Sequence, residues 1–490
     1  MTHSPLTDPR TAPALVRDGA SSSTPGARRI TACRSCGGAD LAMVLDLGRQ
    51  PIANALLSAE ELDRPEPVFP LEVLVCEACG LAQVSETIPP DVLFNADYPY
   101  FSSFIPALLR HSREHALKLI AERDLGPADF VVEIASNDGY LLRNFVDAGI
   151  PALGIDPAAG PVEAAQAAGV PTECAFFGRE TSRRLAAEGR RATVMLANNV
   201  LAHVTDINDF VAGFAILLAD DGIAEFEFPY VRDLVETCAF DTIYHEHVFY
   251  HSLSALEPLF ARHGLHLNDV WRLDIHGGSL RLRVSRTPGK SERLEALQAE
   301  ERTLGIGQLA YYRDFGDRVA GIRMHLRSML HAYRAQGKTI AAYGAAAKGA
   351  TLLNYVDLAE GTIEFVVDRN THKVGKWMPG VRLPIRDVAE LGTARPDFLL
   401  ILTWNFAKEI VEQQRAYHAA GGTFLCAIPT PQVLRPRARR PARAGTLSSP
   451  DPAKPRSPRT GLRTRPLEGA GTSNLPPAQP QGSPFDRLSG

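Results

Sequence analysis

Residues 240–252 read FDTIYHEHVFYHS, and the stretch from Tyr244 to His251 holds three histidines, one glutamate and two tyrosines. Imidazole titrates near neutrality, carboxylate can orient it, and phenol can donate to a developing oxyanion, so these residue types suit proton transfer. They also suit a metal: His247 and His251 are spaced i,i+4 and would share one face of a helix. The flanking aromatics and the lack of an H-E-x-x-H pattern weigh against that reading. Spacing alone leaves His245 and His247 both open as the base, and it makes Tyr250 and His251 packing or rim residues.

A metal is better provided for elsewhere. Cys33 and Cys36 in CRSCGG, and Cys76 and Cys79 in CEACGL, form two C-x-x-C pairs, each followed by glycine as in a knuckle turn. Four thiolates suit tetrahedral Zn²⁺ and leave no open coordination position, which makes a structural site. A redox C-x-x-C is the competing reading of each pair. The 39 residues between the pairs exceed ribbon spacing, so the metal would clip a small subdomain that includes DLGRQPIANAL (46–56). Seven cysteines in all is an odd count, and no disulfide framework is expected.

A third group lies in the turn Glu133-Ile-Ala-Ser-Asn-Asp-Gly139. A dinucleotide site needs G-x-G-x-x-G for close approach to pyrophosphate; here Gly139 is the single glycine, and Glu133, Asn137 and Asp138 fill the turn with oxygen. That chemistry fits a ligand with an ammonium and hydroxyls and no phosphate, namely S-adenosylmethionine. Asp156, 23 residues on at the end of the next strand, is placed for ribose hydroxyls, or else caps the following helix. Asn198 and Asn199 end a later strand. Further along, Gly344-Ala-Ala-Ala-Lys348-Gly349 opens a helix after a strand, so backbone N–H groups and a lysine could face an anion; close helix–sheet packing is the alternative. Asp368 and Asn370 end the next strand, suited to a sugar or base. HGGSLR offers His276, Gly277, Gly278, Ser279 and Arg281 beside a sugar or phosphates.

The elements that must position these groups follow from periodicity. Strand–turn–helix units recur over 105–288 (FVVEIASNDGYLLRNFVDAG, ALGIDPAAGPVEAAQAAG, ATVMLANNVLAHV, GIAEFEFPY), which predicts a doubly wound parallel sheet. An amphipathic helical stretch, roughly 291–336, leads into a second α/β unit ending near 434. The predicted order is a flexible leader (1–29), a zinc-binding domain (30–104), a methyltransferase-type Rossmann-like sheet (105–288), a second Rossmann-like α/β domain (289–434) and a Pro-rich tail (435–490). That tail carries eleven Lys/Arg against three Asp/Glu, and eleven prolines, so it is expected to be disordered. The remainder is left at −12 out of a total of −4, which argues against a nucleic-acid enzyme. No apolar run has the ~18 residues of a membrane span, and the leader lacks a signal-peptide core; no membrane partner and a cytoplasmic location are expected.

The ordered motifs, from the two C-x-x-C pairs through YPYFSS (98–103), VVEIASNDGYLL (131–142), NNVLAHVTDINDF (198–210), FDTIYHEHVFYHS, HGGSLR and YGAAAKGATLLNY (343–355) to WN (404–405), resemble the zinc-containing nucleotide-sugar C-methyltransferase family of deoxysugar biosynthesis. The resemblance covers about residues 30–434. It implies His247 as the base, Glu246 orienting or polarising it, Tyr244 and Tyr98 as hydroxyl donors, and His203 as a further polar partner. It also implies Ala135 and Tyr140 with the cofactor, Ser102 and Ser103 with substrate, a dTDP-ketosugar as substrate, and a monomer. Asp156 stands where the family often has glutamate, which keeps the carboxylate. His203, flanked by Leu201, Ala202 and Val204, is equally a buried core histidine. The rival readings are an NAD-dependent nucleotide-sugar epimerase or dehydrogenase and a non-catalytic zinc and nucleotide scaffold.

Overall fold

The computed structural model describes residues 27–93, 102–104, 106–275 and 277–434, all within the unit that ends at Pro436. The expected leader and tail therefore lie largely or wholly outside the described residues, as do Tyr98 and His276.

The N-terminal part is a small antiparallel sheet. Strands β1 (Leu41–Pro51), β2 (Val68–Cys76) and β3 (Ala82–Val84) pair in sequence. Phe69, Leu71 and Val73 alternate inward along β2, as a sheet with one buried face requires. The two knuckles close with Gly37 N–H on Cys33 O and Gly80 N–H on Cys76 O. Gly80 sits at φ +74°, and a Cβ there would come within 2.9 Å of Gly307 Cα, so glycine alone fits.

After helix α1 (Pro106–Arg123) comes a seven-stranded sheet. Its parallel strands are β4 (Val131–Ile134), β5 (Ala152–Asp156), β6 (Thr172–Cys174), β7 (Ala192–Asn198) and β8 (Leu218–Pro229), with helices α2 (Ala159–Ala167), α3 (Arg179–Ala187) and α4 (Ile207–Leu217) as crossovers. Helix α5 (Val231–Glu236) follows. The next strand, β9 (Phe249–Tyr250), leaves this sheet and pairs with β3 of the N-terminal one, Phe249 opposite Gln83. After α6 (Leu253–Ala261), β10 (His266–Leu273) and β11 (Ser279–Ser285) return as an antiparallel hairpin on β8, giving the order β10-β11-β8-β7-β4-β5-β6. The sheet is thus mixed, where the sequence pattern predicted parallel strands throughout. SLRLRVS alternates leucine or valine with arginine or serine, the period of a half-buried antiparallel strand; Ser279 and Arg281 of HGGSLR belong to it.

The predicted helical stretch is two helices, α7 (Glu292–Leu304) and α8 (Phe315–Ala335), broken at Gly305 and Gly307. A second sheet follows: β12 (Ile340–Tyr343), α9 (Ala347–Val356), β13 (Val366–Asp368), β14 (Ile385–Asp387), β15 (Phe398–Ile401), β16 (Thr423–Cys426) and the antiparallel β17 (Gln432–Leu434). Its order, β14-β13-β12-β15-β16-β17, reverses at β12 and β15, the arrangement that opens a crevice at the strand carboxyl ends. The N-terminal part docks on this sheet through paired backbone bonds between Leu57 and Trp377, and through Glu66, which binds Gly380 N–H and Arg382.

Candidate active site

The loop between α5 and β9 carries FDTIYHEH, and the side chains of His245, Glu246 and His247 in it point different ways. His245 is buried, its Nε2 donating to Pro70 O at 3.1 Å with its ring edge-on to Phe69; burial pushes its pKa down to about 4. His247 is half-buried, with Nδ1 2.7 Å from Thr242 O and Nε2 2.7 Å from the Tyr244 hydroxyl. A carbonyl only accepts, so Nδ1 carries the proton and the Nε2 lone pair faces the phenol. Glu246 is buried, and Asn54 Nδ2 straddles its two oxygens at 2.9 and 2.7 Å. Burial pushes Glu246 up to about 7, against the pull of Asn54 and the charge of Lys373. His203 packs its ring against that of His247, centroids 4.7 Å apart, and lies on the main chain of Glu246; burial lowers it to about 4. His251 is wholly buried, bonded to Leu201 O and wedged between Phe228 and Phe249, away from His247.

At the carboxyl edge of the first sheet, Glu133 is 1% exposed and neither of its oxygens has a hydrogen-bond partner among the described residues. Burial, reinforced by the charge of Asp156, holds its pKa well above the ordinary carboxylate value. The turn that follows is tightly folded: Ala135 and Asn137 stand at φ +55° and +50°, and a Cβ on Gly139 would meet Val170 at 2.9 Å. Asp156 ties it down, one oxygen accepting Asn137 N–H and the other Ala158 N–H, both at 2.9 Å. Asp156 thus ties the turn to the residue before α2, while the N-cap of that helix is Ala158, with no side-chain cap, so Asp156 does not cap the helix. Ser102 N–H binds Asn137 Oδ1 and Ser103 N–H binds Asp138 Oδ2, so these two sit over the turn. The Tyr140 ring belongs to the hydrophobic core below it. Asn198 ends β7 with its Oδ1 buried and without a hydrogen bond among the described residues, and Asn199 beyond it is left-handed, its N–H on Glu227 O.

The second sheet repeats the device. Asp368 accepts Ala345 N–H and Asn370 N–H, as Asp156 does in the first. Gly344, at φ +98°, packs on Thr403, and Lys348 lies over the Trp404 ring with its Nζ on Asn405 Oδ1. Trp404 in turn donates to buried Asp241, which brings the second sheet against the FDTIYHEH loop. Gly277 and Gly278 leave room for Trp404 and Asp233 respectively. Ser279 caps back onto Ile275 O. Arg281, read from the sequence beside sugar or phosphate, has its guanidinium on Glu227 at 2.8 Å and 3.0 Å from His111. Two buried carboxylates on β8, opposite β11 in register, draw the arginines of that strand inward.

Cys33, Cys36, Cys76 and Cys79 converge, all four sulfurs within 4.8 Å of one another, with Cys33–Cys79 at 3.7 Å and Cys36–Cys76 at 3.6 Å.

Three family models match in the same order as these parts: a zinc binding domain over residues 33–94, a methyltransferase domain over 104–270, and a C-methyltransferase C-terminal domain over 274–429. The C-methyltransferase NovU of Streptomyces niveus is 37% identical over 410 residues, 83% of this chain and 97% of that protein. The chain belongs to the zinc-containing C-methyltransferase family. Among solved structures it is similar to magnesium protoporphyrin IX methyltransferase from Synechocystis PCC 6803 with bound S-adenosylmethionine, at 15% identity and TM-score 0.29, over 36% of this chain and 79% of that one. It is also similar to the CcbJ methyltransferase of Streptomyces caelestis, at 13% identity and TM-score 0.29, over 37% and 90%.

This C-methyltransferase uses S-adenosylmethionine, and its residues fit the group. The buried carboxyl of Glu133 and the buried amide oxygen of Asn198, neither bonded within hydrogen-bond distance among the described residues, suit the donors and the positive charge of that group. The four sulfurs fit zinc: tetrahedral Zn–S bonds of about 2.3 Å put sulfurs ~3.8 Å apart. Two residues around Glu246 escaped the sequence reading. Asn54 lies 192 positions away, so no local spacing announces it. Lys373 reads as a surface lysine in NTHKVGK, yet it is 9% exposed, with Nζ on Ala345 O and its charge between Asp368 and Glu246. His111 and His115 of α1, paired with Glu227 and Glu225, also went unread; their i,i+4 spacing on one helix was the available signal.

Proposed function

We propose that the protein methylates the carbon next to the ketone of a dTDP-linked keto-deoxyhexose, carbon 3 of a 4-keto sugar, in the making of branched deoxysugars. The observation that carries this reading is the His247 pair of bonds. With Nδ1 fixed as donor to Thr242 O, Nε2 is the basic nitrogen, on a half-buried ring beside a phenol. A carbon nucleophile requires removal of a C–H proton made acidic by the neighbouring ketone, and an imidazole held in one tautomer is suited to take it. S-adenosylmethionine supplies an electrophilic methyl group for that carbon. Tyr244, with Tyr98, would donate to the enolate oxygen. His203 would hold the imidazole by ring contact, and Glu246, behind the loop, would orient or polarise the base. Glu133, Asp156, Asn137 and Asn198 would hold the cofactor, and Lys348, Asp368, Asn370 and the Gly277–Ser279 turn would face the nucleotide-linked part of the substrate. The zinc would be structural, and the protein cytoplasmic and monomeric.

The test offers a panel of dTDP-ketosugars with labelled cofactor and follows both methylation and solvent deuterium uptake beside the ketone. His247→Asn should lose deuterium uptake by on the order of 10²–10⁴-fold with cofactor binding intact. Uptake at the wild-type rate would remove His247 as the base, and no labelled product from any ketosugar would remove the substrate class.

A further inference from the structure

We infer that Asn54, contributed by the zinc-binding part of the chain, is a positioning residue for proton abstraction: it holds the Glu246 carboxylate in place behind the base loop. The inference rests on the roles of Glu246 and His247 proposed above. Asn54 follows shortly after β1, and its single amide nitrogen spans both oxygens of Glu246 at 2.7 and 2.9 Å. Glu246 is 1% exposed, so its carboxylate depends on the protein for every hydrogen bond it makes.

The groups facing Glu246 come from every part of the fold. Asn54 comes from the N-terminal sheet, and the Lys373 ammonium from the loop after β13. His203, on the loop after β7, lies against the main chain of Glu246 and the ring of His247; His247 itself is next in the chain. Anything that shifts the Glu246 carboxylate therefore reaches His247 by two routes, the shared backbone and the His203 ring. The same N-terminal sheet holds the loop at two further points. Pro70 O receives the His245 Nε2–H, and Val84 N–H binds Val248 O. These two bonds fix the frame of the loop, and Asn54 fixes its buried charge.

Asn54→Asp is the informative variant because it keeps shape and exchanges a donor for a second carboxylate. When the two carboxyl groups share a proton, the introduced acid can donate to Glu246 much as the amide does. Once that proton is lost, two adjacent carboxylates repel each other. The ratio of wild-type to Asn54→Asp rates of deuterium uptake should therefore grow with pH, by roughly tenfold between pH 6 and 9, while zinc content and the KM for S-adenosylmethionine stay put. A ratio that is constant with pH would overturn the inference, since a merely structural loss has no reason to titrate.

A second measurement needs no substrate. Infrared titration of the Glu246 carboxyl in Asn54→Ser should show its pKa raised by roughly one to two pH units, as loss of charge-assisted hydrogen bonds implies. An unmoved carboxyl in a folded variant would sink the idea. If the wild type exchanged no ketosugar proton, the proposed reaction and the positioning role would fall together, and the infrared result would decide separately whether Asn54 holds the Glu246 carboxylate.

Discussion

Glu133 shows how one side chain can be costly to the fold and useful to the site. Burial and the charge of Asp156 raise the folded pKa of Glu133 above the unfolded value, so ionisation costs the fold nothing below about 4.5 and destabilises it progressively as pH rises through the folded value. Glu133→Gln should thus stabilise the ligand-free protein at pH 8 by about 1–3 kcal/mol, with the gain vanishing near pH 4. Denaturant melts across pH would show it. Affinity for S-adenosylmethionine should fall by on the order of tenfold, a loss of about 1.4 kcal/mol. Undiminished affinity by calorimetry would take Glu133 out of the cofactor site. The residue types at this site were legible in the sequence because an oxygen-rich turn after a strand is a local pattern. What separates His245 from His247 was not, because the partner that holds His245, the carbonyl of Pro70 in the N-terminal sheet, is one that only the fold brings into place.

At the scale of elements, strands β8 and β11 and helix α1 form a buried charge ladder. Glu225 meets His115 and Arg283; Glu227 meets His111 and Arg281. Burial alone would raise the Glu227 pKa, yet His111 and Arg281 bring it down to about 2. Arg281→Met leaves a buried carboxylate with a single partner and should cost about 3–5 kcal/mol of stability, seen as a lowered denaturation midpoint. A change confined to substrate KM would mean instead that Arg281 serves the ligand alone. The alternation in SLRLRVS was readable in advance as a strand. The HGGSLR part was instead set beside a sugar or phosphates, because nothing local announces Glu225 and Glu227, which only the sheet register brings opposite Arg283 and Arg281. The parallel strands were clear by contrast: AVILMF-rich runs such as VVEI and ATVMLA, each followed by an Asp- or Asn-bearing turn, have few other uses in a chain of this composition.

On the scale of the molecule, three parts of the chain meet at one loop. Asn54 and Pro70 reach it from the zinc-binding part, Trp404 and Lys373 from the second sheet. Removing zinc with a chelator should therefore abolish solvent deuterium uptake while calorimetry still detects S-adenosylmethionine, whose turn belongs to the first sheet and touches residues before α1 through the Ser102 and Ser103 N–H groups. Loss of both together would mean that the four cysteines stabilise the whole chain indiscriminately. A last consequence concerns the order in which the chain is made. Strand β3 is only three residues long, and its outer neighbour β9 is separated from it by 164 residues (85–248). During synthesis the N-terminal sheet must wait, with β3 as an open edge, until residues 249–250 leave the ribosome. Open edges recruit other strands. A fragment ending before residue 249 should therefore self-associate even with zinc bound, and supplying the missing strand should restore it to solution.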